Sequence, residues 1–207
     1  MRIAVLASGR GSNLQALIEN VENGFIPAEI ALVVSDKAEA PALNRASQHG
    51  IERAEFTDKD FPGREIFDRE LAGFIKAKNI DLICLAGFMR ILGTDFVGAF
   101  PNGIINIHPS LIPAFCGKGY YGIIPHQKAL EYGVKVTGAT VHFVDVEADS
   151  GPIILQKAVY IRDDDTPETL QKRVMEEAEW EILPEAIKLF AEGRLEIDGR
   201  KVRIKDN

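Results

Sequence analysis

Asn106 and His108 stand two residues apart where an apolar run, Ile104 to Ile107, meets Pro109. In a strand that spacing puts both side chains on one side. A histidine beside an amide at a strand end offers a proton donor next to an oxyanion-binding group, the pair that formyl or acyl transfer to an amine requires. A hydrogen-bonded structural histidine is the plainer alternative. The paired amide and the proline and glycine density of PNGIINIHPSLIPAFCGKGYYGIIP count against it, since a loop-rich stretch inside a domain is usually functional.

Two other groups carry chemistry. Ser8-Gly9-Arg10-Gly11-Ser12-Asn13 follows the first apolar run and opens a helical pattern, where backbone N–H groups and the helix dipole receive phosphate in doubly wound sheets. Leu14 fills the third glycine position of a dinucleotide fingerprint and no Walker lysine is present, so the alternatives are a phosphate turn or a plain glycine turn with Ser12 as N-cap. The loop DVEADSGP offers Asp145, Glu147 and Asp149. A divalent cation site, solvated loop acids, or one carboxylate facing His108 and raising its pKa all fit these residue types, and spacing does not choose among them. Of the other histidines, His49 ends a polar helix, His126 begins the helix after the long loop, and His142 reads as packing or support for the chemistry.

The elements that position these groups alternate. Ile3 to Ala7, Glu29 to Val34 and Asp81 to Ala86 are continuous apolar runs, as buried parallel strands are. Between them SNLQALIENV, APALNRASQHG and residues 64–78 carry helical spacing. After a helix near His126 to Tyr132, VTGATVHFV and PIILQKAVYI read as strands, a long helix runs from about Pro167, capped by Thr166, to about Glu192, and LEIDGRKVRI closes as a hairpin on Asp198-Gly199. The pattern predicts an α/β fold, a mostly parallel twisted sheet with helices on both faces and a C-terminal β-hairpin.

Composition limits the partners. The 207 residues are 46% hydrophobic, enough for one substantial core, and the formal charge of −7 argues against the basic surface that nucleic acid requires. Two cysteines outside any CxxC pair suit a reducing compartment, and the N-terminal apolar run is too short for a signal or a membrane span. A cytoplasmic protein is expected.

VLASGRGSNLQALI, LAGFMRIL, NIHPSLIPAF and GATVHFVDVEADSGPIILQ together resemble the phosphoribosylglycinamide formyltransferase family, and the likeness runs through nearly the whole chain. It implies a single formyltransferase domain over 1–207, with residues 1–100 as a nucleotide-phosphate-binding half and 101–207 as a folate-binding and catalytic half. It implies 10-formyltetrahydrofolate as cosubstrate, glycinamide ribonucleotide as the amine, no metal, no nucleic acid or membrane partner, and a monomer or homodimer. Carried over by position, it makes Asn106, His108 and Asp149 catalytic, selecting Asp149 from the three loop acids. Gly11, Ser12 and Asn13 fall at the nucleotide's phosphate and ribose end. Arg64, Met89, Arg90, Ile91, Leu92 and Asn106 fall along the folate, although LAGFMRIL alone reads as a buried strand entering a helix. Ile112-Pro113 is expected to be cis.

Two stretches depart from the family pattern. KGYYGIIP lengthens the path from Gly117 to His126, and R-V-x-x-x-E-H reads RVMEEAEW, one residue longer with Trp180 in place of histidine. The ribose-binding acid is therefore Glu179, counted from Pro184, or Glu177, counted from Arg173, with Glu179 preferred. HPSLIP also resembles methionyl-tRNA formyltransferase and formyltetrahydrofolate deformylase, whose additional domains are not expected within 207 residues. A catalytically silent folate- or nucleotide-binding protein is the remaining alternative, and binding alone would not need the Asn106, His108 and Asp149 trio.

Overall fold

The apolar runs become buried strands in the computed structural model, which describes residues 1–206. Residues 1–106 form one compact unit. Its elements are β1 (Arg2–Leu6), α1 (Ser12–Glu22), β2 (Glu29–Ser35), α2 (Pro41–Gln48), β3 (Glu52–Glu55), α3 (Arg64–Ala77), β4 (Leu82–Leu85), α4 (Thr94–Gly98) and β5 (Ile104–His108). The strands pair in the order β3-β2-β1-β4-β5, and every pairing is parallel. Val5 of β1 lies opposite Val33 and Cys84, so the central strand is enclosed by apolar neighbours and is buried from Ile3 to Leu6.

The chain passes to a second compact unit inside β5, after Asn106. This unit holds α5 (Ile124–Tyr132), β6 (Val136–Phe143), β7 (Ile153–Tyr160), α6 (Pro167–Val174), α7 (Trp180–Ala191), β8 (Leu195–Asp198) and β9 (Lys201–Ile204). Its strands follow the order β6-β7-β9-β8. β6 and β7 are antiparallel, β7 and β9 parallel, and β8 and β9 close the C-terminal hairpin across Gly199. α7 lays Ile182, Leu183, Ala186 and Ile187 against β6 and β7. The mostly parallel sheet, the helices on both faces and the terminal hairpin are as read from the sequence.

Four local expectations need correction. The cap of α1 is Gly11, not Ser12: Gly11 has φ of 70° and Ser12 already lies inside the helix. A Cβ on Gly11 would stand 2.9 Å from Ala42 of α2, so the chain can enter the helix at this close approach only without one. Gly11→Ala is expected to cost about 1–3 kcal/mol in urea unfolding, because strained φ and steric overlap coincide. β3 and α4 were not anticipated, the first lacking an apolar run and the second spanning only one turn. The LAGFMRIL stretch is neither strand nor helix beyond Leu85. Finally, the long C-terminal helix is interrupted: Thr166 caps α6 in a reciprocal box with Thr169 as expected, but Met175–Glu179 form a π turn before α7.

Candidate active site

In the first unit, the turn after β1 is fixed by its backbone. Ser8 N–H donates to Gly87 O at 3.0 Å, and Gly9 O accepts from Ala42 N–H at 3.2 Å. The first-turn amides of α1 point along the helix axis, and their cap, Gly11, has no side chain to offer them, the arrangement that receives an anion. Ser8 Oγ accepts from Met89 N–H at 2.8 Å, which ties this turn to the 87–93 segment.

That segment does not present all four expected folate residues alike. Met89 and Ile91 are exposed at 47% and 46%, whereas Leu92 is buried at 5%. The Arg90 guanidinium stacks over Phe67 of α3, 3.8 Å from the ring centroid. Arg64 opens α3 with its side chain half exposed and its Nε 3.7 Å from Asp68 Oδ2. Met89 and Ile91 thus offer an apolar surface on a loop whose other members are held from behind.

Asn106 and His108 occupy one face of β5, with Asn106 partly exposed and His108 buried. In the second unit the His108 ring lies between two acceptors. Its Nε2 is 3.0 Å from Phe115 O, so Nε2 carries hydrogen, and its Nδ1 is 3.4 Å from Asp149 Oδ2. Asp149 also accepts Gly117 N–H at 2.8 Å, and its other oxygen lies 3.6 Å from His142 Nε2. His142 in turn directs Nδ1 to Phe143 O at 2.8 Å. These contacts outweigh the burial that pushes the Asp149 carboxyl up, and hold it below the usual range.

The expected rise in the His108 pKa is not the net result. Asp149 does push it up, with help from the Phe115 carbonyl, but desolvation is larger and leaves the imidazole below its ordinary value. The ring is consequently neutral at rest and a strong proton donor once charged. Asp145 and Glu147 are exposed, and only Asp149 turns inward, at φ of 55°. Of the three loop acids, geometry therefore singles out the residue that the resemblance selected.

The loop between β5 and α5 is held from within. Ile112-Pro113 is cis, as expected. Thr140 Oγ1 donates to Ser110 O at 2.6 Å and accepts from Ile112 N–H at 3.1 Å and Gln156 Nε2 at 3.0 Å. Sequence reasoning gave Thr140 and Gln156 no role and read His142 as packing or support for the chemistry. The visible mark of Thr140 and His142 was two polar side chains at alternate positions of a buried strand.

His126 is the third residue of α5, fully buried, and neither ring nitrogen has a hydrogen-bond partner among the described residues. Burial, with a smaller push from His108, lowers its pKa to about 4. Below its ordinary value near 6.5 the unfolded chain takes up a proton that the folded chain refuses until about pH 4. Stability is expected to fall by about 3 kcal/mol across that window, and His126→Leu to flatten the slope in urea titrations at stepped pH.

Within RVMEEAEW the helix widens to a π turn, in which Trp180 N–H reaches Met175 O, five residues back. Glu179 is buried at 8%, while Glu176 and Glu177 face solvent. Burial thus separates the two candidate acids, Glu179 inside the fold and Glu177 outside it.

Comparison with known proteins follows the same lines. The formyl transferase family pattern matches residues 1–187. A phosphoribosylglycinamide formyltransferase of Haemophilus influenzae is 43% identical over 206 residues, covering 100% of this chain and 91% of that protein. A trifunctional purine biosynthetic protein adenosine-3 of Drosophila pseudoobscura pseudoobscura is 45% identical over 94% of the chain, which spans 14% of that relative's length and 14–19% of similar ones. Glycinamide ribonucleotide transformylase 1 of Symbiobacterium toebii superposes with a TM-score of 0.94 at 50% identity, covering 100% of this chain and 94% of that one.

Proposed function

The chain belongs to the formyl transferase family, and from that premise we propose that it moves the formyl group of 10-formyltetrahydrofolate to the amine of N1-(5-phosphoribosyl)glycinamide, giving the N-formyl product and tetrahydrofolate in purine biosynthesis. One observation carries the reading: a buried imidazole between a carbonyl and an inward carboxylate, at the end of a strand whose same face bears Asn106.

In this mechanism the substrate amine attacks the formyl carbon and the carbonyl electron pair moves onto oxygen. Asn106 and protonated His108 stabilise that oxyanion, and Asp149 orients His108 and favours its charged form. As the oxyanion collapses, the bond from the formyl carbon to the folate nitrogen breaks. That nitrogen takes up a proton while the new amide nitrogen loses one. Gly11, Ser12 and Asn13 receive the phosphate and ribose end of the nucleotide, and Glu179 its ribose hydroxyls. Arg64 and the 89–92 segment bind the folate, chiefly through the exposed Met89 and Ile91, with Asn106 near the formyl group. These steps involve proton and acyl movement alone, without a metal. The reading further takes the protein as cytoplasmic, a monomer or homodimer acting on two small molecules with no nucleic acid or membrane partner. The acidic net charge of −7 supports the lack of a nucleic-acid partner, and among the described residues no helix is long and apolar enough to cross a membrane.

The deciding assay mixes protein, 10-formyltetrahydrofolate and candidate amines and follows folate deformylation by absorbance. Turnover dependent on glycinamide ribonucleotide is expected. Loss of the folate formyl group without that amine would indicate a deformylase, and no turnover with any amine a silent binder.

A further inference from the structure

We propose that Asp68 is a positioning residue that sets the course of the 87–93 segment and through it the affinity for the folate, without touching either substrate. Asp68 lies on α3, is 2% exposed, and accepts Gly93 N–H on Oδ2 at 2.7 Å. Arg64 Nε stands 3.7 Å from the same oxygen. Oδ1 is buried with no hydrogen-bond partner among the described residues. Burial is the largest influence on this carboxyl and raises its pKa above the ordinary value.

A carboxylate kept in such surroundings costs stability, and an apolar side chain would fill the space at less expense. What the carboxylate supplies is an acceptor at one fixed point. The segment it holds is anchored at two other places. Met89 N–H is held by Ser8 Oγ at 2.8 Å, and Arg90 stacks on Phe67, the residue before Asp68 on the same helix. Between the Met89 and Gly93 anchors the chain has little freedom, so Met89 and Ile91 must project outward. Gly93 completes the fit. A Cβ there would lie 2.5 Å from Asp68 Oδ2, so a larger residue would push the carboxylate out of its present place.

The inference rests on the assignment of residues 89–92 to the folate, and the experiment separates the two. Asp68→Ala, Asp68→Asn, Gly93→Ala and the double variant Asp68→Ala/Gly93→Ala are compared by steady-state kinetics and by hydrogen exchange of the segment's amides. Asp68→Ala is expected to raise the folate KM about tenfold, to leave kcat and the nucleotide KM within about twofold, and to speed exchange at Gly93. Asp68→Asn, which keeps an acceptor oxygen, should restore most of the folate affinity. Gly93→Ala should weaken folate binding strongly in the parent and little further when Asp68 is already alanine, because the two substitutions break one contact. Unchanged exchange at Gly93 in Asp68→Ala overturns the positioning role, as does an equal loss in every kinetic parameter that Asp68→Asn fails to rescue. Faster exchange with an unchanged folate KM upholds the anchor and overturns the folate assignment.

Discussion

Replacing His108 with alanine is expected to lower kcat by about three orders of magnitude while leaving nucleotide affinity within about threefold. The size follows from the position of the ring. It is buried, both nitrogens face acceptors, and burial keeps its pKa below the ordinary value, so the proton it carries is readily given to a developing oxyanion. Alanine removes the proton donor and one half of the oxyanion site together. The nucleotide's phosphate and ribose contacts are assigned to α1 and Glu179, and these do not pass through the imidazole. Single-turnover rates with titration of the nucleotide by calorimetry check both halves. A matching loss in affinity and rate would show His108 to be a structural residue.

Asp149→Asn is expected to reduce kcat by about a hundredfold and to move the pH–rate profile toward acid. Asparagine keeps an oxygen to accept Gly117 N–H, so the loop is retained and the charge alone is lost. In the parent, Asp149 opposes the burial that depresses the His108 pKa. Without it that pKa falls further. Because the mechanism uses the protonated ring, the limb on which activity declines with rising pH must shift downward, and the loss is greatest near neutrality. A rate and profile equal to those of the parent would remove the charge-pairing role from the mechanism.

The parts of this molecule that were legible in its sequence are those governed by local rules. Continuous apolar runs gave β1, β2 and β4, Thr166 gave the start of α6, and Asp198-Gly199 gave the hairpin, because burial, capping and turn conformation each act over a few residues. Asn106 and His108 were visible for the same reason: a strand's alternation sets their common face. What stayed hidden depends on residues distant in the chain. Ser12 looked like a cap because its hydroxyl suits the role, yet Ala42 of α2 forces a glycine one position earlier. Asp149 could not be told from Asp145 and Glu147 by composition, since its distinction is a backbone turned inward at φ of 55° toward two histidines. The direction of the His108 shift was misjudged because a neighbouring charge can be guessed from residue types whereas the depth of burial cannot.

The π turn between α6 and α7 has a meaning for descent as well as for structure. It stores one residue beyond what an unbroken helix of the same span would hold, while Leu170 and Val174 before it and Ile182 and Leu183 after it keep facing the core. A lineage can therefore gain or lose a codon here without moving either flank. Glu179, the last residue of the turn, is held against the first residue of α7, so its place is set by the flank that follows and not by the number of residues before it.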